Sequence, residues 1–233
     1  MTKYQINLSY DHINAACFLA KLTYDLELRY TANDFTDEII QQHRAYSIGS
    51  IISAVSYLEA TINELFFDVA NQFTRVKVEH LPNGTPDRMK AMWEHIEKNS
   101  ILDKYKIALI FADKSYDIGK EPYQSVQDLI SLRNAVVHYK PELIDLADHK
   151  NDQSQNLEKK IKSKIKKQNP WTGKDNPFFP DKCLGYGCAF WAIKSSVAFT
   201  KEFFPKMGLN FHNAQEDREP YFMKAVKELP KVN

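Results

Sequence analysis

The chain has 233 residues, 43% of them hydrophobic and only seven glycine, which is enough apolar content for a packed core and excludes wholesale disorder. Thirty-one Lys and Arg against 30 Asp and Glu leave a formal net charge of +1, so no global basic field exists and any nucleic-acid contact must come from a local patch. Cys17, Cys183 and Cys188 lack zinc-type pairing and read as reduced thiols, and no apolar run approaches the ~20 residues of a membrane span. With no hydrophobic signal core in Met-Thr-Lys-Tyr-Gln-Ile-Asn, the expectation is a soluble cytoplasmic protein without membrane contact.

Ile13, Ala16, Cys17, Ala20 and Tyr24 recur at helical spacing and predict a first amphipathic helix near 10–31. Thr36-Asp37-Glu38 opens a long second helix, running to about Asn71, with an acidic first turn. The turn chemistry of His80-Leu81-Pro82-Asn83-Gly84-Thr85-Pro86 predicts a loop. Short helices follow, from Asp87 to about Asn99 and from Ile101 to about Asp113. Pro122 precedes a helix over about 124–139, which Pro141 stops.

Residues 143–182 differ: large apolar residues are few, lysines cluster at 159–167, and Pro170, Pro177 and Pro180 break any helix. This stretch reads as a charged, partly mobile insertion inside a single domain spanning 1–233. A strongly apolar helix returns at about 187–207, and a short one closes the chain at about 219–229. The fold class is all-α, a helical bundle with a lysine-rich insertion before its last core helix.

The chemistry centres on Ser131-Leu132-Arg133-Asn134-Ala135-Val136-Val137-His138. At ~100° per residue, Arg133 falls within the apolar face formed by Val126, Leu129, Ile130, Val136 and Val137. The same count puts Glu59 within the stripe of Ile48, Val55, Ile62 and Phe66 on the second helix. A charge removed from water needs a partner, so Glu59 and Arg133 are expected to form a semi-buried ion pair. The alternative is that Arg133 snorkels at the bundle's end while Glu59 faces a solvent gap. Asn134 and His138 are i,i+4 neighbours sharing one surface. An arginine fork binds anionic oxygens and a histidine moves protons near neutral pH. A histidine ending a helix is equally a favourable partner for the helix dipole.

Arg133-Asn134-x-x-x-His138, late in an all-α bundle, resembles the Arg-Asn-x(3)-His motif of HEPN domains (higher eukaryotes and prokaryotes nucleotide-binding). Ser56-Tyr57-Leu58-Glu59-Ala60-Thr61-Ile62-Asn63-Glu64-Leu65 is similar to that family's long helix carrying an inward acidic residue. The resemblance covers about 10–140 plus 187–207. It implies a homodimer with two motif helices facing across a cleft, and a metal-independent endoribonuclease needing no cofactor, of the kind found in toxin and phage-defence systems. An antitoxin or other neighbouring-gene partner goes with that setting. In this reading Arg133 steadies the scissile phosphate, and His138 serves as general acid or base for 2′-hydroxyl attack. Asn134 holds the phosphate or orients the histidine. Many members of the family are instead non-catalytic modules that bind nucleotide, RNA or protein, and a purely structural helical protein is the remaining alternative.

Finally, Lys159, Lys160, Lys162, Lys164, Lys166 and Lys167 form a run whose Leu157, Ile161 and Ile165 repeat every four residues. One apolar edge would dock while the lysines meet an RNA backbone. A plain solvated face fits the same pattern.

Overall fold

Every regular element among the described residues is helical. The computed structural model describes residues 6–31, 34, 36–72, 78–140, 152–211 and 222–232, without the side chains of 152 and 153. The helices are α1 (Ser9–Arg29), α2 (Asp37–Asn71), α3 (Thr85–Ile96), α4 (Ile101–Phe111), α5 (Tyr123–Val137), α6 (Asp152–Ile161), α7 (Tyr186–Lys206) and α8 (Met223–Lys227). Thr36 caps α2 by accepting from the Ile39 amide, and Ser100 caps α4 by accepting from that of Asp103. Of the last predicted helix, residues 219–221 lie outside the described residues, as do 143–151 of the insertion.

α1 and α2 form an antiparallel hairpin. Ser9 bonds Glu64 at one end, Ser50 donates to the Ala16 carbonyl in the middle, and His43 meets Glu27 at the other end. α7 lies parallel to α2, tied by Ser196 Oγ to the Ala54 carbonyl and by the 2.8 Å Tyr57–Thr200 hydroxyl contact. The core fills with aromatic rings: Tyr105 meets Phe199 and Phe203 edge-on at 4.9 and 4.7 Å, and Tyr116 stacks on Phe199 at 4.7 Å. Buried phenols stay satisfied, since Tyr105 donates to the Leu58 carbonyl and Tyr116 to that of Phe199.

From residue 152 onward the insertion is docked on the bundle. Leu157, Ile161 and Ile165 are buried, which is the edge their spacing predicts, and Phe178 and Phe179 are buried beside them. Its course relative to α5 follows from two contacts. Lys164, just beyond α6, bonds Asp128, Glu121 and Ser125 at the start of α5 (2.9, 3.0 and 3.3 Å). At the far end Tyr139 lies 6.2 Å from Phe179, whose amide donates to Ser154 in the first turn of α6. α6 therefore runs antiparallel to α5, gripping it near both ends.

Lys164 is thus internal hardware, not a phosphate contact as its place in the run implied. Its side chain is only 16% exposed and that of Asp128 12%. Burial pushes the Lys164 ammonium down, but the bonds to Asp128 and Glu121 outweigh this and hold it above the ordinary lysine value. Burial pushes Glu121 up, while Ser125 and Lys164 pull its carboxyl below the usual range on balance. Lys164→Met strands Asp128 with little water and should cost about 1–3 kcal/mol, read as a melting temperature several degrees lower. A folded value depressed below the unfolded one, near ~4.3, gives stability present above that pH and lost as pH falls through the folded value. The variant should accordingly show a shallower fall in melting temperature on acidification than the parent chain.

Candidate functional site

α5 places its motif where the helix leaves the bundle. Val126, Leu129 and Leu132 are fully buried, whereas one turn later the helix face reaches solvent: Val137 is 48% and Tyr139 50% exposed. Val137 therefore does not belong to the buried face that its helical angle predicts. Arg133 sits at this transition. Its residue is half-buried, and its Nε is buried with no hydrogen-bond partner. Asn134 and His138 are both exposed. The His138 amide donates 2.8 Å to the Asn134 carbonyl, so the two residues close the last turn of the helix together.

The expected pairing of Glu59 with Arg133 is corrected by the structure, where no ion pair or hydrogen bond joins them. The buried face of α2 is wide because α1, α3, α4, α5 and α7 all touch it. It centres roughly 100° away from Ile48 and leaves half-buried Glu59 at its rim. The cation facing Glu59 belongs to α4. Lys104 is 2% exposed, and its ammonium donates 2.9 Å to Asn63, one turn along α2 from Glu59. Burial lowers the Lys104 value, opposed in part by Glu59 and Glu97.

The remaining lysines of the run divide. Lys159, Lys160, Lys166 and Lys167 are exposed, and Lys162 is exposed but held 2.6 Å from Glu158. The aromatic residues after the run are not stacking platforms. Phe178 and Phe179 are core, and Trp171 lies against His43 at 4.4 Å while its Nε1 donates to the Tyr30 carbonyl.

Two features escape the sequence reading. One is a buried polar junction: Glu27 Oε1 accepts from His43 Nε2 at 3.0 Å and from the Tyr186 amide at 2.7 Å, at the first turn of α7. Gly185 and Gly187 are the visible signal for it. A Cβ at 185 would stand 2.8 Å from Glu27 Oε1, and one at 187 only 2.0 Å from the Lys167 carbonyl. The second is a cavity of about 290 Å³ beside α6, bordered by Lys162, Lys174 and Lys182.

Other chemistries find little support. No group of His, Cys, Asp and Glu among the described residues has the arrangement of a metal site. The thiols are buried, and burial pushes Cys17 up to about 12 and raises Cys183 and Cys188 well above the ordinary range. No described helix is long and apolar enough to cross a membrane. No protein-family model matches the chain, and neither a curated protein nor a solved structure matches it significantly.

An arginine without an internal anion gains little for the fold from its charge. Arg133→Met, similar in length and apolar, should leave thermal stability within about 0.5 kcal/mol of the parent or raise it. A melting temperature depressed by many degrees would show that the guanidinium holds the bundle together.

Proposed function

We propose that the chain is a metal-independent endoribonuclease of the HEPN type, acting as a homodimer. The observation that carries this reading is the arginine's position. A guanidinium is set into the apolar face of α5 with Nε desolvated and unsatisfied, one residue before an exposed Asn134 and five before an exposed His138. The terminal nitrogens of this half-buried arginine, for which no described residue supplies an acceptor, are the part of the fork that an external phosphate would engage. Its proximity to an exposed imidazole pairs anion recognition with a group that moves protons at neutral pH.

In the mechanism this implies, His138 takes the proton of a ribose 2′-hydroxyl or gives one to the leaving 5′-oxygen. Arg133 stabilises the charge growing on the phosphoryl oxygens. Attack by the 2′-oxygen breaks the bond to the 5′-oxygen and yields a 2′,3′-cyclic phosphate and a 5′-hydroxyl end. Among the described residues the imidazole of His138 makes no hydrogen bond to a carboxylate. Val137 and Tyr139, apolar and half-exposed on either side of it, form surface for a second copy to cover. The missing orienter favours the second reading, a module that binds RNA, nucleotide or protein without cleaving it.

RNA labelled at its 5′ end and incubated in EDTA separates the two. The enzyme predicts cleavage to cyclic-phosphate ends, lowered about 10²–10⁴-fold by His138→Ala and about 10²–10³-fold by Arg133→Ala, in variants whose circular dichroism is unchanged. Binding without cleavage, weakened only by Arg133→Ala, assigns the chain to the module.

A further inference from the structure

The cavity beside α6 has no part in the cleavage chemistry, yet its walls are built for an anion. Three lysines border it, Lys162 from the end of α6 and Lys174 and Lys182 from the segment that folds back over it, against two carboxylates, Glu158 and Asp175. The lysines are not equivalent. Lys162 is shared with Glu158, and Lys182 donates 2.6 Å to the Lys174 carbonyl. The Lys174 side chain is exposed and makes no bond within the described chain. The uncharged lining includes Gln155 and Gln168, whose amides are likewise unengaged. At about 290 Å³ the space is near the lower end of small-molecule sites, ~300–1,000 Å³, enough for one nucleotide unit.

Its position gives the cavity meaning. Phe178 lines it, and the adjacent Phe179 meets Tyr139, the neighbour of His138. Phe178, Phe179, Tyr139 and His138 thus form a series of neighbours that leads from the cavity to the imidazole, a path for a short single strand.

We infer that this cavity is a phosphate subsite for the flank of a single-stranded RNA whose scissile bond lies at Arg133 and His138. The inference rests on the ribonuclease reading for the identity of the strand. It moves the RNA contact away from Lys164, which is consumed in clamping α5, and onto Lys162, Lys174 and Lys182. Lysine suits such a place: a mobile point charge tracks a backbone without demanding the planar geometry that arginine imposes.

The test measures binding of a fluorescent 2′-O-methyl oligoribonucleotide, which cannot be cleaved, to the full chain by anisotropy across a salt series. Each single-strand phosphate contact contributes ~0.7 to the slope of log affinity against log salt. Lys162→Ala/Lys174→Ala should lower that slope by about 1.4, while Lys90→Ala/Lys98→Ala, exposed beside α3 and away from the insertion, leaves it unchanged. Equal slopes for the parent chain and the cavity variant overturn the proposal, as do loss of slope only in the Lys90/Lys98 variant and absence of binding by the parent chain at low salt. Displacement by polyglutamate as readily as by RNA of equal charge also overturns it, since the site then prefers no nucleic acid. Failure of the parent reading has a separate signature. If ribose-containing RNA stays intact while the slope falls in the cavity variant alone, the subsite stands and the nuclease does not.

Discussion

The three bonds from Lys164 to the opening turns of α5 fix what the rest of the candidate site depends on. The loop leading into α5 and its first turns bear two acidic side chains, Glu121, which stays more than half exposed, and Asp128, which the docked insertion largely removes from water. One ammonium meets both and also the Ser125 hydroxyl. Because the Glu121 carboxylate accepts the Ser125 amide as well, the same cluster satisfies one of the free amide donors of the helix start. The insertion is therefore coupled electrostatically to the very helix whose other end carries the motif. At that other end the coupling changes character, from charge to the packing of Phe179 beneath Tyr139. A rod held by different forces at its two ends is constrained in both position and rotation. Rotation matters here, since Arg133 and His138 point about 140° apart on an ideal helix and share a ligand only through the arginine's length.

The clamp also clarifies why Arg133 is tolerated. A desolvated cation inside a bundle is normally neutralised by a carboxylate from a neighbouring helix. The chain does this elsewhere: Lys104 has Glu59 nearby and donates to Asn63. No described carboxylate pairs with Arg133. The guanidinium escapes the full penalty because α5 emerges from the core at that point and only Nε is sealed. Lys104 meets a carboxylate field inside the bundle, whereas Arg133 stands where the helix opens to solvent, the placement expected of a group whose counter-ion arrives from outside.

Much of the fold was legible because it depends on local periodicity and capping. Thr36 before Asp37-Glu38 marks the start of α2, and Ser100 that of α4. The i,i+4 repeat of Leu157, Ile161 and Ile165 identified the docked edge of α6. What failed were pairings across space. A helical wheel assumes one buried direction, but α2 is surrounded on several sides, so the centre of its core face is displaced and Glu59 turns to α4 instead of α5. Lys164 looked like one more exposed lysine because nothing in the run marks the one residue that meets Asp128, 36 positions earlier. Gly185 and Gly187 did carry a signal of close backbone approach, although glycine alone does not name what approaches. Lys174 and Lys182 stand outside the lysine run and join it only through the fold of 170–182.

The separation between motif and cavity restricts the class of ligand that engages both. The motif ends α5 while the cavity lies beside α6, so a ligand with a single phosphate engages one anion site at a time. A polyanion occupies both at once. Its second contact then forms at the high effective concentration set by the intervening chain, and affinity rises without any single strong bond. On the proposed reading, two linked contacts of this kind would let a chain of near-neutral net charge hold a nucleic-acid strand without a basic surface. The discrimination would then lie in the spacing of two modest anion sites, with α5 held by Lys164 at one end and by Phe179 at the other.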